Sequence, residues 1–172
     1  MREYKSCAFI GHRNCKITKE LKNEVVFLIE ELINKEGVLN FLFGSKSRFN
    51  DFCHEVVTEL MPKYTNIKRV FYTCSSESCI LEKDRIRMEN AYLLASGKNI
   101  KLLGFEEEVE HKNKYVANVA GYIERNYAMI DDCDFVVIYY NENYKVDTSN
   151  SGTRLAYKYA KKKRKNIINV FK

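Results

Sequence analysis

Three short runs constrain this chain more than any other feature. "YKSCAFIGHR", "VLNFLFGS" and "DFVVIYY" carry apolar residues at consecutive positions, not at every second one. A strand wetted on one face alternates apolar with polar residues. A strand without that alternation is buried on both faces, as in a parallel sheet covered by helices. The first run reads as a strand over about Lys5 to Ile10, and the last over Asp134 to Tyr140. "IKRVFYTC" and "NIINVF" add two more strands.

Between these runs the apolar period changes to three and four residues. Leu21, Val25, Leu28, Ile29, Leu32 and Ile33 mark a helix over roughly 18–35, with Gly37 as its stop. Phe49, Phe52, Cys53, Val56, Val57 and Leu60 mark a second helix, closed near Pro62. Val116, Val119, Ala120, Ile123, Tyr127 and Ile130 mark another, and Leu155, Ala156, Tyr159 and Ala160 form the inner face of a last one. The stretch from Ser75 to Lys114 reads as a helix near 82–96 and a short strand at "IKLLGF". The expected fold is therefore α/β and Rossmann-like, a mostly parallel central sheet with helices on both faces. With 172 residues, 45% of them hydrophobic, seven glycines and one proline, residues 1–172 are expected to form one domain.

Composition narrows the partners. No apolar run reaches membrane-spanning length, and no leader is read before the first strand. The six cysteines lack zinc spacing, so no metal is expected. Reduced thiols fit a cytoplasmic protein. The formal charge of +6 owes much to Lys158, Lys161, Lys162, Lys163, Arg164 and Lys165. That run is read chiefly as a solvated helix end, where cations suit the macrodipole. With no groove-reading motif present, a nucleic-acid partner is disfavoured.

In a sheet of this kind the loops after the strands meet at one edge, where ligands bind. Four elements could carry chemistry. "SNSGTRLAYKYAKKK" sets Ser151, Gly152 and Thr153 at a helix start. The turn suits a phosphate, and it equally suits plain N-capping. "GHRN" offers Gly11, His12 and Arg13, either as ligand contacts or as a tight turn. "FGSKSRFND" offers Gly44 and Ser45, with Phe49 assigned to the core. "IERNYAMIDDCDFVVIYY" brings Arg125 and Asn126 just ahead of the main strand. Periodicity alone puts Arg125 on the polar face, paired with Glu124 or Asp132. His54 and His111 are read as surface or loop residues.

In this order, "FIGHR", "FGSKSRFND", "RNYAMIDDCDFVVIYY" and "SGTRLAYKYA" resemble the SLOG superfamily, named for the SMF/DprA DNA-processing proteins and the LOG enzymes. The likeness is to its small stand-alone members and runs from Phe9 to Phe171, weakest between Ser75 and Lys114. It implies a Rossmann-like sheet with a pocket for nucleotides or nucleotide-derived molecules. LOG enzymes are phosphoribohydrolases that cleave the N-glycosidic bond of nucleoside 5′-monophosphates. Arg125, with Met129 and Asp134 in step, matches their "ERK..M...AD" pattern, so Arg125 is the residue to carry catalysis if the chain is an enzyme. Their phosphate loop, "PGGxGTxEE", supplies glutamates. Here Gly152 and Thr153 match, but Leu155 and Ala156 stand where the glutamates would be. Neither can stabilise the positive charge that builds on the sugar. The same gap weakens a likeness to nucleoside deoxyribosyltransferases.

The reading is a binding protein for an adenine nucleotide or an ADP-ribose or cyclic ADP-ribose type of molecule, a sensor or sequestering protein of nucleotide signalling. Gly11, His12, Arg13, Gly44, Ser45, Arg125, Asn126, Ser151, Gly152, Thr153 and Arg154 are its expected ligand residues, with no cofactor and with a homodimer as the expected assembly. One alternative is a LOG-like N-glycosidase drawing a carboxylate from Glu77, Glu82, Asp84, Asp132 or Asp147. The other is a DNA-binding protein of the DNA-processing branch, resting on the basic run.

Overall fold

The computed structural model describes residues 4–44, 47–74, 105–111, 118–143 and 151–172. In chain order they form β1 (Lys5–Gly11), α1 (Lys19–Glu36), β2 (Val38–Phe43), α2 (Arg48–Leu60), β3 (Lys68–Cys74), β4 (Glu107–His111), α3 (Asn118–Asp132), β5 (Phe135–Tyr139), α4 (Gly152–Lys162) and β6 (Asn166–Asn169). The strands make one sheet in the order β4-β3-β2-β1-β5-β6, and every pairing is parallel. This is the Rossmann-like α/β architecture expected from the sequence.

Period two sorts each strand between two cores. Cys7, Phe9, Phe41, Phe43, Phe71, Phe135 and Val137 meet the apolar faces of α1 and α2. Ala8, Ile10, Leu42, Val70, Tyr72, Val136 and Ile138 meet Met129 and Ile130 of α3 and Ala156 and Ala160 of α4. Continuous apolar runs are thus what this sheet requires, because both faces are covered. Phe9 stacks on Phe41 and Phe43 with ring centroids 6.0 and 5.2 Å away. Each such buried ring contributes about 1.5–3 kcal/mol relative to exposure.

The helix ends follow local chemistry. Thr18 caps α1 by accepting from the Leu21 N–H at 3.1 Å, and Gly37 ends it in the left-handed region at φ 71°. At the amino edge of the sheet, Asp134 and Ser6 exchange two bonds, Asp134 N–H to the Ser6 carbonyl at 2.8 Å and Ser6 N–H to the Asp134 carboxylate at 2.9 Å. The aspartate of the LOG-like pattern therefore ties β5 to β1, at the end of the sheet opposite the candidate site.

Three features depart from the sequence reading. β4, "EEVEH", is too polar to be read as a strand; among the described residues it pairs on one side only, and an edge strand tolerates charge. His54 is buried, its ring against Phe43 and Phe105 at 5.3 and 4.6 Å. Arg125 is also buried, although periodicity left it on the polar face. The helix proposed near 82–96 lies outside the described residues, as does all of "IKLLGF" except Phe105.

Candidate functional site

The sheet order reverses between β1 and β5: β1 pairs with β2 on one side and with β5 on the other. At such a switch point the loops diverge and leave a crevice beyond the carboxyl ends of the strands. A cavity of about 390 Å³ opens there, lined by His12 after β1, Tyr140, Asn141 and Glu142 after β5, and Ser151, Arg154, Tyr157, Lys158 and Lys161 of the α4 segment. Positions 154, 157, 158 and 161 share one helix face by their spacing. The opposite face is held in the core by Thr153, Ala156 and Ala160.

The cavity combines cations with rings. Arg154, Lys158 and Lys161 face a single carboxylate among the described lining residues, Glu142. Tyr140 lies 4.9 Å from Tyr157 and 5.8 Å from the His12 ring, centroid to centroid. The Lys161 ammonium sits 4.5 Å over the Tyr157 ring. A side-chain hydrogen bond with Tyr157 pushes the Lys161 pKa up, so its charge is secure at neutral pH. Burial pushes the His12 imidazole pKa down. It is neutral, and its Nε2 accepts from the Asn141 N–H at 3.1 Å, which ties the loop after β5 to the loop after β1.

The Ser-Gly-Thr turn starts α4. Ser151 is the N-cap, its hydroxyl accepting from the Arg154 N–H at 3.4 Å, so this side chain satisfies one amide of the first turn. Thr153 is buried. Among the described residues, a Cβ on Gly152 would meet nothing within 4 Å. Leu155 is partly buried, and Ala156 is fully buried in the core.

The other residues singled out in the sequence sit elsewhere along the edge. Gly11 lies under Phe49, whose atoms would stand 2.6 Å from an added Cβ. The Ser47 hydroxyl, the N-cap of α2, donates to the Gly11 carbonyl at 3.0 Å. Arg13 is exposed, and its carbonyl accepts from the Arg48 N–H at 3.3 Å. Arg125 reaches across the ends of β2 and β3. Its guanidinium covers Gly44, donates to the Tyr72 carbonyl at 3.4 Å and to Asn126 Oδ1 at 3.2 Å, and lies 5.5 Å over the Tyr122 ring. His12, Ser151 and Arg154 are thus brought together at the cavity. Gly44, Arg125 and Asn126 form a separate group over β2 and β3, and Ser45 lies outside the described residues. Of the candidate carboxylates, Asp132 accepts from the Tyr72 hydroxyl at 2.7 Å; Glu77, Glu82, Asp84 and Asp147 lie outside the described residues.

Sequence reasoning missed Tyr140, Asn141, Glu142 and Tyr157 as site residues, and named Lys158 and Lys161 only in the basic run behind the DNA-binding alternative. The signal available was the 154, 157, 158, 161 spacing of cations around a tyrosine. Among the described residues no His, Cys, Asp or Glu cluster is arranged for a metal, and no helix is long and apolar enough to cross a membrane.

No family model matches the sequence, and no curated protein does. Among solved structures, the chain is similar to DNA processing protein A from Helicobacter pylori, reported for its single-stranded DNA binding mode, at a TM-score of 0.57 and 18% identity. The match covers 95% of this chain and 63% of that one, so the chain spans less than two thirds of that protein's length. The likeness establishes a DprA-like, Rossmann-type fold. It also corrects the expectation that a nucleic-acid partner is disfavoured. That expectation rested on missing groove-reading motifs, and a protein of this fold that takes single strands needs none of them.

Proposed function

We propose that the chain binds single-stranded nucleic acid at the crevice between β1 and β5, holding one nucleotide unit in the cavity while the backbone runs along α4. The observation that carries this reading is the pairing of three cations with a cluster of tilted aromatic rings in one cavity. Cations tracking the backbone and aromatic side chains taking the bases are what sequence-tolerant single-strand binding uses. The DNA-processing fold supports the same reading, as does membership of the SLOG superfamily, which we propose on the motif order. The cations of α4 and of the turn after it divide by their contacts. Lys163 pairs with Asp131 at 3.0 Å, and Lys165 donates to the Asp131 and Cys133 carbonyls at 3.2 and 2.7 Å. Arg154, Lys158 and Lys161 line the cavity instead.

The cavity volume favours a second reading, a nucleotide or ADP-ribose-type small molecule in the same place. About 390 Å³ falls within the roughly 300–1,000 Å³ of small-ligand sites. Titration of the full chain with a labelled thymidine oligomer, its duplex, and free mononucleotides and ADP-ribose separates the two. Affinity that grows with strand length and falls with salt is expected. Tight mononucleotide binding with no gain from a longer strand would transfer the cavity to the small molecule, and silence with every single strand at low salt would end the nucleic-acid reading.

A further inference from the structure

We infer that Asn169, on the far strand β6, is a positioning residue that sets the Tyr140 ring in the cavity; the inference rests on the single-strand reading above. The β5–β6 ladder ends with Ile138 opposite Asn169 and with the Val170 N–H donating to the Ile138 carbonyl at 2.8 Å. Tyr140 lies one residue past the end of β5. There the carboxamide of Asn169 takes over from the backbone. Its Nδ2 donates to the Tyr140 carbonyl at 2.9 Å, and its Oδ1 accepts from the Tyr140 N–H at 3.2 Å and from the Phe171 N–H at 3.1 Å.

A primary amide does this because one planar group carries a donor and an acceptor side by side. Both backbone polar groups of Tyr140 are thereby held in register with the sheet, which fixes the direction of its Cα–Cβ bond. That direction carries the ring to Tyr157 and His12. Asn169 is itself exposed and is not among the cavity-lining residues, so replacing it leaves the cavity wall and the core intact. Its effect on a bound strand runs through the base that meets Tyr140, and not through phosphate.

The test compares two oligomers of equal length, one of thymidines and one of abasic deoxyribose phosphates, with the wild-type full chain, Asn169→Leu, Tyr140→Ala and the double variant. The wild type should prefer the base-bearing strand by about tenfold. Asn169→Leu should bind the abasic strand as the wild type does and lose most of the preference, and the double variant should lose no more than Tyr140→Ala alone. Amide exchange of the Tyr140 N–H should speed up in Asn169→Leu without any ligand. A full preference retained by Asn169→Leu, in a wild type that does discriminate, overturns this inference and leaves the functional reading standing. A wild type that binds both strands equally also overturns it. A wild type that binds neither overturns the functional reading and the inference together.

Discussion

The guanidinium of Arg125 occupies the space that a side chain would need at Gly44. A Cβ there would stand 2.9 Å from Arg125 Cζ and 3.0 Å from Nε. Arg125 is 3% exposed and bonded to the Tyr72 carbonyl and Asn126, so it cannot swing aside without losing those bonds. Gly44→Ala is expected to cost about 1–3 kcal/mol by overpacking. On an Arg125→Ala background the same change should cost little, because the occupant is gone. A double-mutant cycle from urea unfolding reads this coupling, and additive costs would show that the two residues do not compete for the space.

Gly152 gives the opposite expectation. No described residue lies within 4 Å of a Cβ at that position, and its φ is not among the positive values. Gly152→Ala should leave stability unchanged or raise it by up to about 1 kcal/mol, since alanine is the better helix former. If a phosphate approaches the first turn of α4, oligonucleotide affinity should nevertheless fall. Unfolding curves beside fluorescence titrations measure both, and unchanged affinity would remove the turn from the binding surface.

Salt dependence sorts the basic run. Lys158→Gln and Lys161→Gln should each reduce the slope of log affinity against log salt by about 0.7, the value for one phosphate contact on a single strand. Lys163→Gln should leave the slope unchanged and barely alter stability, because its partner is the exposed Asp131. Equal slope losses for all of them would mean a diffuse basic surface with no preference for the cavity.

Two groups set the expected pH response. Burial raises the Glu106 pKa, but hydrogen bonds from the Arg69 guanidinium and backbone N–H outweigh it and leave the pKa below the usual value. Its contribution is therefore complete above the unfolded carboxylate pKa and is lost as pH falls through the lower folded one. Glu106→Gln should cost about 2 kcal/mol at neutral pH and flatten the acid limb of the stability curve. His12 has a lowered pKa and behaves alike in sign: stability from its neutral form is present above pH 6.5 and lost as pH falls through the folded value. Histidine NMR titration should place His12 below the ordinary value. A raised pKa there would contradict the bond from the Asn141 N–H to Nε2.

Much of the fold was legible because its causes are local or periodic. Both-faces burial shows in "DFVVIYY", the cap of α1 shows in Thr18 and Gly37, and the α4 turn shows in Ser151. β4 was illegible because an edge strand needs no apolar run. Arg125 was illegible because a helix period reports which face is apolar, and here a charged residue is buried by partners far away in the chain, at Tyr72 and Gly44.

By itself, then, the sequence determined an alternating strand–helix chain, its parallel sheet and the edge at which its loops would gather, since each follows from short-range pattern and from the handedness of L-residues. The tertiary structure alone decided which loops share a cavity. Strand order, a product of long-range packing, put β5 beside β1, so that His12, Tyr140 and the Arg154–Lys161 face converge while Arg125 is carried off over β2 and β3.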